Sequence, residues 1–147
     1  MYFPIAIVLA YYYAWSGFYF MYSDNKTIEE FVCWLQRSFP KLAFVVKQPL
    51  YELFPEPSKY KSFWKNKNAH IDISVFRHGK LVCAIEPGGF QHLTDRKQMA
   101  RDKKKSFICK ENGVSFLPLM NSCLKEKEDK EFKKLLKFAF YSEKKDG

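Results

Sequence analysis

Two acidic residues stand in a stretch that otherwise alternates like a β-hairpin. "HIDISVFRHGKLVCAIEPGGFQH", residues 70–92, carries Asp72 in its first half and Glu86 in its second. The hairpin register decides whether they share a face. A two-residue His78-Gly79 turn pairs residue 77 with 80 and sends the two acids to opposite faces, and histidine is a poor first residue for such a turn. A three-residue turn, Arg77-His78-Gly79, puts glycine where the backbone is left-handed and its missing Cβ avoids a clash. The sequence favours this second register. Phe76 then faces Lys80, Asp72 faces Ala84, and Glu86 is the diagonal neighbour of Asp72 on the same side, about 7 to 8 Å away between backbones. The other side reads Ile71, Ile73, Val75, Leu81, Cys83 and Ile85, wholly apolar, as a face packed on a core must be.

Two like charges converging on a partly buried surface repel and lose hydration, so either one takes a proton or a cation sits between them. Oxygen-only ligands favour a hard cation such as Mg²⁺ or Mn²⁺. An ion of that kind polarises a phosphodiester and lowers the pKa of an attacking water. The simpler alternative is that each carboxylate pairs with one of the chain's many lysines.

The elements that must hold this pair are legible around it. "SDNKTIEEFVCWLQRSF" opens with helix-start residues. Thr27-x-x-Glu30 fits a capping box, and Phe31, Trp34, Leu35 and Phe39 recur at helical spacing, predicting a helix over 28–38 that ends near Pro40. Residues 42–48, "LAFVVKQ", suit a buried strand limited by Pro49. Residues 55–68 hold two prolines and Lys59, Lys61, Lys65 and Lys67, and are expected to form a basic loop whose Tyr60, Phe63 and Trp64 tack it onto the core. Residues 93–111 are charged and free of Gly and Pro, "VSFLPL" after Gly113 reads as a strand, and Phe132, Leu135, Leu136, Ala139 and Phe140 mark an amphipathic helix. The order is α, β, β-hairpin, α, β, α, an α/β domain over 26–147 with no internal repeat.

The first 22 residues are uncharged, and as a helix they would reach about 33 Å, enough to span a bilayer core of about 30 Å. A membrane anchor over 1–22 is expected. Lys26, Arg37 and Lys41 follow it and nothing basic precedes it, so the domain should lie on the cytoplasmic side of a single-pass protein. The chain of 147 residues has a net charge of +9, which favours a polyanionic partner. Cys33, Cys83, Cys109 and Cys123 show no C-x-x-C pairing, which suggests neither a zinc knuckle nor a thioredoxin-type site and leaves reduced, buried thiols as the expectation.

With Asp72, "AIEPGGFQH" and "RDKKKS" together, the chain resembles the PD-(D/E)XK, or restriction-endonuclease-like, nuclease superfamily. More narrowly it is similar to a bacterial group of uncharacterised domains in which a membrane anchor precedes a nuclease-like domain, and more distantly to very-short-patch-repair endonucleases. The likeness runs from about Thr27 to Leu119. It implies a core of order α-β-β-β-α-β, and a Mg²⁺- or Mn²⁺-dependent endonuclease acting on DNA. By that resemblance Asp72 and Glu86 are metal ligands, with the Pro87 carbonyl a further one. The position usually held by Lys, or by Asp in nearer relatives, falls on Gly88, so the role of orienting water or balancing charge passes to Gln91, His92 or Lys105, or else turnover is lost and a nucleic-acid-binding module remains. Asp102 and Lys105 match an R-D-x-x-K pattern, and the acid of the first helix is either Glu29 or Glu30. Lys97, Arg101, Lys104 and Lys105 recur along one side of the charged helix and are placed to meet phosphates.

Overall fold

Ile28, Phe31, Trp34 and Leu35 give the first helix, α1 (Asn25–Ser38), one apolar stripe, and all four are buried. The computed structural model describes residues 25–88, 95–120 and 130–142. After α1 come β1 (Ala43–Pro49), two short helices α2 (Leu50–Leu53) and α3 (Lys61–Lys65), the hairpin β2 (His70–Arg77) and β3 (Lys80–Gly88), α4 (Arg96–Glu111), β4 (Ser115–Met120) and α5 (Lys130–Tyr141). The sheet order is β1-β2-β3-β4, antiparallel among the first three and parallel between β3 and β4. A parallel pair cannot be closed by a tight turn, and α4 lies in the crossover that joins it. The result is an α/β fold with a four-stranded mixed sheet.

Each face of the sheet has its own core. On one face α1 and α5 cover Ile73, Val75, Cys83, Ile85, Leu117 and Leu119. Their contact is largely aromatic: Phe31, Trp34 and Phe132 stack with centroids 5.8 to 6.4 Å apart, and Phe140 meets Phe39 edge-on at 5.1 Å. Phe132 is fully buried, and its truncation to alanine would cost about 3–5 kcal/mol. On the opposite face Ile108 and Cys109 of α4 pack on Ala84 and Phe116, with Leu50 and Phe54 beside them.

The ends of α4 are set by local chemistry. Asp95 caps its start, accepting from the backbone N–H of Lys97 at 2.9 Å. Gly113, at φ 71°, ends it with the paired bonds Val114 N–H to Cys109 O and Gly113 N–H to Lys110 O, a left-handed stop that a side chain would strain. Arg77 donates to the carbonyl of Phe140 at 3.1 Å, placing a cation at the negative end of α5.

Three local expectations change. The first helix begins at Asn25, so Thr27 lies within its first turn and Thr27-x-x-Glu30 is not its cap. The loop over 55–68 contains α3; Trp64 donates from its indole to the Phe54 carbonyl at 2.9 Å, and Phe63 and Trp64 pack on the second core as expected of these aromatics. Cys33 is exposed, unlike buried Cys83 and Cys109.

The hairpin turn is the larger correction. Arg77 pairs with Lys80, leaving a two-residue His78-Gly79 loop in which both residues are left-handed, at φ 52° and 74°. This is the type I′ signature, whose twist matches the flanking strands, and histidine is tolerated where Asn is the usual choice. That turn alone would have parted Asp72 from Glu86. The register then slips: Phe76 pairs with Leu81 but Val75 pairs with Cys83, so Val82 is one extra residue on β3. This bulge restores the parity that the short turn removed. It also moves Leu81 to the second core, away from the face predicted for it.

Candidate active site

Beyond the bulge the register runs Ser74 with Ala84 and Ile73 with Ile85, and its next step sets Asp72 directly across from Glu86. The two acids therefore share the face that α4 covers, closer than the diagonal relation read from the sequence. Glu86 is 2% exposed and Asp72 half-buried. Asp102 aside, α4 turns a stripe of Lys105, Ile108 and Cys109 toward the sheet, and Lys105 ends 2.9 Å from Glu86 Oε1. Both side chains of this ion pair are nearly withdrawn from water, 10% and 3% exposed.

His70 completes the cluster. It lies two residues before Asp72 on β2, hence on the same face, and its Nε2 is 3.1 Å from Asp72 Oδ1 while Nδ1 is 3.1 Å from the Asn68 carbonyl. A carbonyl only accepts, and so does an ionised carboxylate, so both ring nitrogens must carry hydrogen. The geometry is that of an imidazolium. In agreement, the hydrogen bond to Asp72 raises the His70 pKa above its ordinary value, against burial and the neighbouring Lys105.

The two carboxyls are pushed apart. Burial alone would raise Asp72, but hydrogen bonds with His70 and Glu86 and the charge of Lys105 outweigh it and hold the carboxyl below its usual range. Burial drives Glu86 well above its usual value, Lys105 opposes this, and ionised Asp72 adds to it. Asp72 is thus the stronger acid and Glu86 the weaker, as expected of a coupled acidic pair. The fully buried Ser74 hydroxyl, on the same face, meets no hydrogen-bond partner among the described residues. On β1, between the pairs Val46–Ile73 and Gln48–Ile71, Lys47 stands at the register position of Asp72 in a left-handed conformation, φ 53°, that costs a non-glycine residue about 1–2 kcal/mol.

The remaining candidates scatter. Pro87 and Gly88 are buried in β3 and pair with Leu119 and Met120 of β4. Gly88 supplies no side chain, and Lys105 is the cation standing against Glu86. Lys97 and Arg101 are exposed on α4, and Arg101 donates to Gln98, which in turn donates to Asp102 at 3.0 Å. Lys104 is half-buried, 5.4 Å from the ring centre of Phe63 and 6.0 Å from that of Tyr60. The four cations expected as one phosphate-facing stripe are therefore divided: Lys105 points into the protein and Lys104 onto aromatic rings. Glu29 and Glu30 are exposed on α1, which packs on the opposite face of the sheet from Asp72, so the helix-one acid is not brought to the cluster. Gln91 and His92, Cys123 and the anchor over 1–22 lie outside the described residues.

The sequence reading missed His70, although H-x-D within one strand, with the two side chains on one face, was a usable signal. Among the described residues, no three His, Cys, Asp or Glu side chains are gathered to hold a metal ion, and no helix is long and apolar enough to cross a membrane. Two carboxylates nonetheless suit Mg²⁺, which takes one or two from a protein and fills its shell with water and substrate oxygens. Comparison with protein-family models, with curated proteins and with solved structures returns no match.

Proposed function

We propose that the domain is a restriction-endonuclease-like, PD-(D/E)XK-type nuclease that hydrolyses phosphodiester bonds of DNA with Mg²⁺ or Mn²⁺. The observation that supports this most is the meeting of Asp72, Glu86 and Lys105 on one sheet face, each from a different element. With the short helices α2 and α3 set aside, the element order is α-β-β-β-α-β before α5, the order of the core that the resemblance implies.

In this reading Asp72 and Glu86 hold the ion, with the Pro87 carbonyl a further ligand. The ion supplies Lewis-acid polarisation of the phosphate and a more acidic bound water. Lys105 lowers the cost of ionising Glu86, the charge-balancing part that Gly88 cannot play. His70 holds Asp72 ionised and oriented. Lys97 and Arg101, exposed on α4, meet the DNA backbone, and Gln91 and His92 are assigned to the same site from the sequence. Tethering by residues 1–22, with the domain cytoplasmic, belongs to the same proposal and rests on the composition of that segment.

The experiment is nicking of supercoiled plasmid by the full chain with Mg²⁺ or Mn²⁺, with chelator as control. Cleavage that needs the metal and vanishes in Asp72→Asn and Glu86→Gln, with DNA binding kept, supports the reading. A second reading, a DNA-binding module without turnover, draws on Gly88 and on the closed Lys105–Glu86 pair. Binding with no cleavage in any metal would establish it instead.

A further inference from the structure

A second charged surface lies apart from the carboxylates. The end of α1 and the turn after it, with Phe39 and Lys41, face Lys130, Lys133, Lys134 and Lys137 of α5 across a groove of about 490 Å³. Phe132, Leu136, Ala139 and Phe140 turn α5 into the core, which leaves its lysines outward. Among the described residues no acidic side chain lines the groove. Glu131 pairs with Lys134 at 3.3 Å, but both are 74% exposed, and such a pair yields readily to a competing anion.

Large rings accompany the lysines. Tyr141, which lines the groove, is 39% exposed beneath the Arg77 guanidinium, and Phe138, on α5 outside the groove's lining, is 57% exposed. A duplex backbone gains from cations and little from an uncovered phenylalanine. A bilayer surface uses both, because rings settle at headgroup depth while lysine stems reach lipid phosphates. The groove also sits on the α1/α5 side of the sheet, whereas Asp72 and Glu86 face α4, so DNA held at the carboxylates is on the other side.

We propose that this lysine groove, with Phe138 and Tyr141, docks the domain flat on an anionic phospholipid surface. The inference is independent of the nuclease chemistry and refines the membrane part of the reading above, giving the domain a contact separate from residues 1–22.

The test compares the full chain on vesicles of phosphatidylcholine alone and with about 30% phosphatidylserine, reading acetylation of each lysine by mass spectrometry. On the anionic vesicles Lys130, Lys133, Lys134 and Lys137 should react at least about five-fold more slowly, since each surface lysine gains from an anionic leaflet, while exposed Lys59 and Lys67 keep their rates. The protection should disappear at about 0.5 M salt. The K133E/K137E variant should lose it with an unchanged circular dichroism spectrum, and if that variant misfolds the salt series on the native chain decides. Equal rates on the two vesicles overturn the proposal. So does protection by duplex DNA without lipid, which assigns the groove to nucleic acid, or protection that grows with protein concentration alone, which assigns it to a second copy. Flotation of the same samples separates the two membrane ideas. Flotation on both vesicles without lysine protection keeps the anchor and refutes the groove; salt-sensitive flotation on anionic vesicles alone keeps the groove and refutes the anchor.

Discussion

Replacing Lys105 by methionine would leave Glu86 buried beside Asp72 with its nearest cation gone. The side chain stays long and loses its charge, so packing beside Ile108 and Cys109 changes little, and the effect isolates the charge. The lost contact is 2.9 Å long between side chains 10% and 3% exposed. Breaking such a pair from one side typically costs about 3–5 kcal/mol if the other charge must stay ionised. Glu86 has an escape, because its pKa is already raised by burial, with Lys105 opposing, and removal of Lys105 drives it higher. A carboxyl raised in the folded state binds more protons there than in the unfolded chain. Stability should therefore fall as pH rises from the unfolded value, about 4.5, toward the folded one, by about 1.4 kcal/mol per pH unit for one full proton. Between pH 5 and pH 7 the variant should lose up to about 2.7 kcal/mol, and the native protein less, because Lys105 opposes the rise of its Glu86. Urea unfolding of both proteins at the two pH values measures this, and Glu86→Gln added to Lys105→Met should recover most of the loss. Equal stability of Lys105→Met and the native protein at pH 7 would refute the buried-pair argument.

Ion binding at the carboxyl pair must displace the proton that Glu86 favours, so Mg²⁺ or Mn²⁺ affinity should rise with pH, by up to about ten-fold per unit, in calorimetric titrations. His70→Ala should lower nicking activity or metal affinity about 10- to 100-fold, as loss of a residue that orients a ligand does, while Asp72→Asn or Glu86→Gln removes cleavage. In NMR titration His70 should protonate above its ordinary value and return toward it in Asp72→Asn; its stabilisation is complete below about pH 6.5 and is lost as pH rises through the raised folded value. Gly79→Ala, forced to keep φ 74°, should destabilise by about 1–2 kcal/mol, and His78→Asn should stabilise by a few tenths to about 1 kcal/mol in thermal melts.

The elements were legible because their hydrophobic periods are strong. Phe31, Trp34 and Leu35 announce α1, and Phe132, Leu136 and Phe140 announce α5, each through one apolar stripe that had to be covered. The strand and helix ends moved by a few residues because caps depend on local hydrogen bonds, as at Asp95, rather than on the period. The hairpin register was less accessible. Turn preference argued against His78-Gly79, yet the turn's cost is small beside that of burying Glu86 on the wrong face, and Val82 absorbs the difference as a bulge. Lys105 illustrates a second limit. In a run of charges the periodicity does not single out the lysine that turns inward; the R-D-x-x-K match named Lys105, but its place is set by Glu86, a partner 19 residues away in the chain.

The bulge and the inward lysine are linked in the site's energetics. Asp72 and Glu86 can stand opposite each other only if positive charge is supplied beside them, and two elements supply it: β2 through His70, and α4 through Lys105. Glu86 is the weaker acid of the two and takes up a proton before Asp72 does, so a divalent ion competes with that proton for the site. Inserting one residue between Ala84 and Ile85 tests the whole arrangement, because it moves Glu86 one position along β3, onto the face of Ile73 that α1 and α5 cover and away from Lys105. An ionised carboxylate there has lost its cation. The insertion should unfold the domain or force Glu86 to stay protonated, so that a folded, stable variant with native metal affinity would show that the two acids never acted as a pair.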